Sequence, residues 1–263
     1  VSVGAPSDPD PFPAFYEALE RRCFRDLTFA EVRRGLQALS SLYVERRSRM
    51  RMGAALEGAG KRAAFAVYYG ALHFLLVREI ARSLGPALGA PRRILDLGCG
   101  TGTAGAAWAL RCSPPASLEG VDASGWAVAE ARWTLRALGL SGRVVRAEAS
   151  TAALPRPPAG VLVAFSANEL DDAGRARLLA RLLEAARAGG TSVLVVEPLS
   201  RRTSPWWPEW ARTVRSAGGR VDEWRFPAAL PERLALLAHG AGLDPRELSA
   251  RSLCLEPRPH FRT

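Results

Sequence analysis

Apolar residues recur at three- and four-residue spacing along the first third of the chain, with arginine and glutamate between them. FYEALERRCF and FAEVRRGLQALSSLYVERRSRM both carry this spacing, which predicts amphipathic helices. Thr28 stands just before the second and Glu31 lies three residues on, a capping-box pattern. GAALEGAG at 53–60 is small and glycine-rich and predicts a loop. A long helix is predicted over 61–85, stopping at Gly85-Pro86. Its most apolar stretch, near 63–77, is interrupted by Tyr68, Tyr69, Gly70 and His73, too short and mixed to read as a membrane span. Residues 1–13 are rich in proline and aspartate and are expected to be a disordered tail, with a helical cap over 14–90.

From Arg93 the period changes. Strand-like runs occupy 93–98, 117–123, 143–149, 160–167, 191–198, 220–227 and 249–257, and helical patterns fit between them at 102–111, 124–138, 171–188, 205–217 and 231–240. Regular alternation of this kind predicts an α/β domain over 91–263, with a mostly parallel seven-stranded sheet and helices on both faces. In such a sheet the ligand is expected at the carboxyl ends of the strands, where strand order reverses.

The sharpest local feature is Ile94-Leu95-Asp96-Leu97-Gly98-Cys99-Gly100-Thr101-Gly102-Thr103-Ala104-Gly105, an apolar strand running into a glycine-rich turn that opens a helix. Such a turn allows close approach of a ligand to the backbone, and the helix start offers free N–H groups. Gly100, Gly102 and Gly105 also satisfy the dinucleotide fingerprint, so a nicotinamide or flavin cofactor is an alternative at this point. Asp122 closes the second strand about 20 residues beyond the loop, where a carboxylate grips a ribose diol; this is the preferred reading, and capping the next helix is the alternative. Glu148 follows the third strand. The fourth leads into Ser166-Ala167-Asn168-Glu169-Leu170-Asp171-Asp172. Asp171 and Asp172 are read as helix-starting residues.

The D-x-G-x-G-x-G run from Asp96 resembles the first motif of class I S-adenosylmethionine (SAM)-dependent methyltransferases. The resemblance implies a Rossmann-like fold, SAM as cofactor, and Asp96 holding the methionine amine of SAM. It implies further cofactor contacts from Gly98, Cys99, Gly100, Gly102, Asp122, Ala123, Glu148, Ala149 and Ser166, with Glu148 accepting from the adenine amino group. Asn168 and Glu169 fall where that family places residues nearest the transferred methyl group. N-terminal helices of this fold often cover the pocket, which makes Arg62, Tyr68 and Tyr69 candidate substrate contacts.

A closer resemblance, over roughly residues 36–257, is to bacterial relatives of the mitochondrial small-ribosomal-subunit methyltransferase-like family. It rests on Leu39-Ser40 with Tyr43 and Arg47, the Arg62 to Ala71 helix, Leu95-Asp96-Leu97-Gly98 followed by Gly102-Thr103-Ala104, Asn168-Glu169-Leu170, and Val196-Glu197-Pro198. It implies an RNA or ribosomal acceptor. The chain departs from that family in having no cysteine between Glu223 and Arg251, where members carry a cluster-binding insertion.

Charge bears on the acceptor. The net charge is +10, which favours an anionic partner such as RNA. Because Lys61 is the one lysine, the bias also fits the codon usage of a GC-rich genome. Arg46, Arg47, Arg49 and Arg51, with Arg62, are the densest basic cluster, and pairing with nearby glutamates is the alternative use for them. The four cysteines, Cys23, Cys99, Cys112 and Cys254, form no CxxC pair; reduced thiols, no bound metal and a cytoplasmic setting are expected. His73, His239 and His260 are isolated and read as structural. Trp206, Trp207 and Trp210 suit either a substrate lid or packing on the sheet, and packing is the preferred reading. No N/D-P-P-Y tetrapeptide follows the fourth strand, and no cysteine pair suggests covalent attack on a pyrimidine. A small-molecule methyltransferase and a SAM-binding, non-catalytic ribosome factor remain as alternatives.

Overall fold

A computed structural model describes residues 10–45, 56–200 and 202–257. The N-terminal part holds α1 (Phe12–Cys23) and α2 (Phe29–Glu45). A long helical rod follows, made of α3 (Ala59–Ala64), a π-helical stretch (Phe65–Gly70) and α4 (Ala71–Leu84). The α/β part runs β1 (Arg93–Leu97), α5 (Thr103–Ala109), β2 (Ser117–Asp122), α6 (Gly125–Ala137), β3 (Gly142–Arg146), β4 (Ala159–Ala164), α7 (Asp172–Arg187), β5 (Thr191–Glu197), α8 (Trp207–Ser216), β6 (Arg220–Pro227), α9 (Glu232–Gly240) and β7 (Glu247–Leu255).

Every strand of the sequence pattern forms, and the sheet has the order β3-β2-β1-β4-β5-β7-β6. β1 to β5 pair in parallel, and β7 runs antiparallel between β5 and β6. Strand order reverses between β1 and β4, so the crevice at the switch point opens above the carboxyl ends of those two strands. β4 and β5 are buried along their whole length, as continuous apolar runs covered on both faces require.

The N-terminal helices share their core with one face of the sheet. Phe12, Phe15 and Phe74 interlock at ring distances of 5.0–6.5 Å, in the same cluster as Trp108, Leu118 and Leu194. Arg22 of α1 forks onto Glu130 of α6 with two 2.6 Å bonds and lies over Trp133. The capping box forms: Thr28 N–H donates to Glu31 at 2.8 Å, and Glu31 N–H returns a bond to Thr28 Oγ1 at 3.3 Å.

Two sequence expectations are corrected. The tail does not extend to residue 13: α1 begins at Phe12, which is buried, and Asp10 pairs with Arg78 at 2.6 Å. Prolines are compatible with a helix's first turn, and the Phe12 ring supplies the anchoring that composition alone does not reveal. Secondly, the stretch Ala59–Leu88 is long and apolar enough to cross a membrane by length and composition, contrary to the expectation from its interrupted apolar run. In the fold it is a core helix, with 72% of its most apolar window buried inside the protein. The loop expected at 53–60 lies partly outside the described residues; α3 has started by Ala59.

Because one core joins cap and sheet, truncating its junction should loosen both together. Phe74→Ala is expected to cost about 3–5 kcal/mol. Urea unfolding followed by tryptophan fluorescence and by far-UV circular dichroism should then give coincident transitions at a lower midpoint. Separate transitions for the two probes would show that the helical part unfolds alone.

Candidate functional site

The crevice at the switch point is a cavity of about 990 Å³. Its floor is built from the ends of β1, β2 and β4. Asp96 is 1% exposed; one carboxylate oxygen accepts the Gly105 N–H at 3.1 Å, and the other is buried with no partner. A side chain at residue 105 would put its Cβ 2.6 Å from that carboxylate, so the close approach of helix to acid requires glycine there. Burial pushes the Asp96 carboxyl up to about 7, opposed by the Gly105 N–H and reinforced by the negative charge of Asp122.

Asp122 accepts from both sides. Its oxygens take the Gly100 N–H at 2.9 Å and the Ser124 N–H at 2.8 Å, tying the glycine loop to the end of β2. Capping of α6 falls to Ser124, whose hydroxyl accepts from Ala127 at 3.4 Å, so Asp122 is not the cap itself. Gly98 has φ +73°, and a Cβ on it would stand 2.5 Å from that of Ser166; the loop and the end of β4 touch here through bare backbone. The Ser166 hydroxyl donates to Leu97 O at 2.8 Å. Cys99 is buried, and the surrounding apolar contacts and the two aspartates push its thiol well above its ordinary value, which leaves it inert.

Beyond β4 a polar chain leads to the neighbouring strand. The Asn168 amide donates to Glu197 at 2.7 Å and accepts from the Trp206 indole N–H at 2.9 Å; Glu197 also takes the Ala167 N–H at 3.2 Å. Both ends of the amide are therefore assigned by their partners: a carboxylate needs the NH₂, an indole needs the oxygen. Glu197 is fully buried, which raises its carboxyl to about 8, while Arg251, its register partner on β7, acts in the opposite direction.

The cavity brings together Asp96, Gly98, Cys99, Gly100, Asp122, Ala123, Glu148, Ala149, Ser166, Asn168, Glu169 and Arg62. Three residues singled out in the sequence do not line it. Gly102 caps α5 in the left-handed conformation against Ala131. Tyr68 is buried and Tyr69 is half-buried, both packed with the helical core. The π-helical turn rotates the rod so that Phe65 and His73 meet the cavity instead. Glu148 lies beyond β3 rather than ending it, exposed on the rim. Asp171 caps α7 through Gly174 N–H, and Asp172 pairs with Arg175, as read from the sequence. Trp207 and Trp210 are core residues, whereas Trp206 reaches Asn168. Sequence reasoning missed Phe65, His73, Trp126 and Phe165 on the cavity wall, and the Glu197–Asn168 link. No cluster of metal-ligating side chains occurs among the described residues.

Comparison with known proteins agrees with this geometry. The family described as "Methyltransferase domain" matches residues 94–190, the stretch from β1 to the end of α7 that builds the cavity floor. Over this stretch the chain resembles a methyltransferase domain. The fold agrees over nearly the whole chain with the mitomycin 7-O-methyltransferase MmcR, at TM-score 0.51 and 16% identity, covering 95% of this chain and 74% of that one. A SAM-dependent methyltransferase from Thiobacillus denitrificans in complex with S-adenosyl-L-homocysteine has TM-score 0.45 and 19% identity, covering 68% and 91%. The Pyrococcus abyssi tRNA (uracil-54, C5)-methyltransferase has TM-score 0.43 and 18% identity, covering 72% and 38%. No curated protein matches the sequence. The residues present fit SAM: a glycine cradle open to the cavity, and a buried carboxylate oxygen without a partner beside it, suited to a cationic amine.

That orphaned oxygen gives the site a pH signature. The folded empty protein keeps Asp96 protonated below about 7, and a cationic ligand stabilises the anion, so binding expels the proton. SAM affinity should climb between about pH 5.5 and 7, approaching tenfold per unit at the acid end, and level off above. Calorimetry across this range checks it. Asp96→Asn should bind about tenfold or more weakly at about pH 7.5 and show a flat profile. A wild-type affinity independent of pH would mean that Asp96 does not meet the amine.

Proposed function

We propose that the protein transfers the methyl group of SAM to an RNA acceptor, and that a ribosomal RNA is the natural one. The observation that carries this reading is the cation set at the cavity mouth. Arg62, Arg146 and Arg177 all line the cavity and are exposed, and among the described residues none has a carboxylate partner. Arg62 and Arg146 each use only Nε, on the carbonyls of Leu56 and Ala123, at 2.9 Å. Their outer nitrogens remain for a polyanion, in contrast to Arg175, which is held by Asp172 and Leu170 O. The rim is mixed, with exposed Glu148, Glu169 and Asp172 beside these arginines, and within this reading the arginines receive phosphates while the acidic floor receives a cation.

Within this reading Asp96 holds the methionine amine, Asp122 the ribose diol with its remaining lone pairs, and Glu148 the adenine amino group. Asn168, fixed from behind, faces the acceptor. Bound SAM supplies an activated methyl on a sulfonium, and the protein contributes alignment and a preorganised polar wall. The Arg46, Arg47, Arg49 and Arg51 cluster lies outside the described residues.

The direct test is transfer of labelled methyl from SAM into fractionated cell material, with RNA expected to carry the label. Label in the small-molecule fraction alone would replace the RNA reading with a small-molecule one. Two binding measurements refine it. Affinity for a structured RNA should fall steeply with salt. Arg62→Gln, Arg146→Gln and Arg177→Gln together should lower the log–log slope by about 0.7–0.9 for each phosphate no longer neutralised, leaving SAM binding intact. Asp122→Ala should lose tenfold or more in SAM affinity, since charge-assisted bonds contribute about 1.5–3 kcal/mol each. An unchanged slope in the triple variant removes the rim from the RNA site.

A further inference from the structure

His73 is the least expected residue on the cavity wall. It lines the cavity together with Phe165, Ser166 and Asn168, on the β4 side. Three features converge on it. The imidazole lies face to face on the Phe165 ring, with centroids 4.0 Å apart and planes at 13°, so its ring plane is fixed while its nitrogen-bearing edge stays clear of the stack. Phe165 itself has φ +58°, and among the described residues it is the one non-glycine in that region; backbone held there by its surroundings concentrates at active sites. The π-helical stretch Phe65–Gly70 sits one turn before His73, and such insertions are frequent at functional positions. Phe65, Tyr69 and His73 form a triangle of rings with centroids 5.7–6.5 Å apart.

The half-buried imidazole makes no hydrogen bond to any described residue, and neither ring nitrogen is among the buried unpartnered atoms, so its polar edge opens on the cavity it lines. The rings packed against it are Phe65, Tyr69 and Phe165, of which only Tyr69 can ionise, and no charged group faces it. Burial alone lowers its pKa to about 4, so the ring is neutral and one nitrogen carries a free lone pair.

We propose that His73 is a catalytic residue that takes the proton lost by the acceptor's N–H or O–H. The acceptor's lone pair forms the bond to the methyl carbon, the carbon–sulfur bond breaks with its electrons going to sulfur, and the proton passes to the imidazole and on to solvent. Once the methyl has bonded, that proton sits on a cationic nitrogen or oxygen and is strongly acidic, so a base of low intrinsic strength suffices. The inference rests on the methyltransferase reading, and on the RNA reading only for the choice of acceptor.

His73→Gln and His73→Asn test it with three readouts. S-adenosyl-L-homocysteine affinity, by calorimetry, should stay within about twofold of wild type. Diethyl pyrocarbonate should modify His73, by mass spectrometry, whether or not S-adenosyl-L-homocysteine is bound. Methyl transfer into total RNA should fall about 10²–10⁴-fold, with the wild-type rate flat between about pH 6 and 8 and the residual rate of both variants rising with pH. Wild-type rates and pH profile in both variants would overturn the assignment. So would a tenfold loss of S-adenosyl-L-homocysteine affinity in both, or modification blocked by that ligand, since either would seat His73 under the cofactor. Wild-type label in protein or small molecules instead of RNA removes the RNA reading alone, and the His73 comparison is then made on that fraction. A wild type that labels nothing removes both.

Discussion

Asp96 accepts one backbone N–H and keeps its second oxygen buried without a partner. A bare carboxylate in such a place is expensive, and burial raises the Asp96 pKa to about 7, so the carboxyl can hold its proton there. The surrounding architecture follows from that requirement. Gly105 is bare so that the helix start can approach the acid, Gly98 is bare so that the loop can lie on Ser166, and Asp122 fastens the loop's outer turn. The sheet order supplies the remaining condition, since only the reversal between β1 and β4 leaves an open crevice above the acid.

The opposite wall is constructed differently. Where the floor leaves a polar atom unsatisfied, the Asn168 amide is held from behind by Glu197 and Trp206, one bond at each end, and Glu197 is in turn set against Arg251 across the β5–β7 ladder. An unsatisfied floor and an already ordered wall are complementary: one can still take a polar partner, the other is a fixed surface.

Most of the fold is legible because the chain switches cleanly from a period of 3.6 to short alternating or continuous apolar runs at Arg93. The strands begin within two residues of where the pattern puts them, and the pattern overruns their ends by up to three residues, as at β3 and β4, where Ala147 to Ala149 and Phe165 to Ala167 belong to turns. The floor of the site is legible for a similar reason: glycines and acids at strand ends are local signals. The wall is not. Glu197 meets Asn168 across 29 positions, a distance that no periodicity reports. The sequence points Tyr68 and Tyr69 at the pocket wrongly, because a π-helical turn adds a residue to the turn and FAVYYG carries no mark that distinguishes it from ordinary helix. Phe12 reads as tail on the strength of the prolines beside it, although its ring is buried against Phe74.

The placement of β7 between β5 and β6 has a consequence for the order in which the protein becomes competent. Synthesis proceeds from the N-terminus, and the residues flooring the cofactor crevice, from Asp96 to Ser166, emerge before the strand that carries Arg251. β7 is inserted between two strands made earlier, so the ladder that seats Arg251 opposite Glu197 closes last. A nascent chain can therefore lay down the floor of the crevice while the Glu197–Arg251 side of its wall is still unfinished.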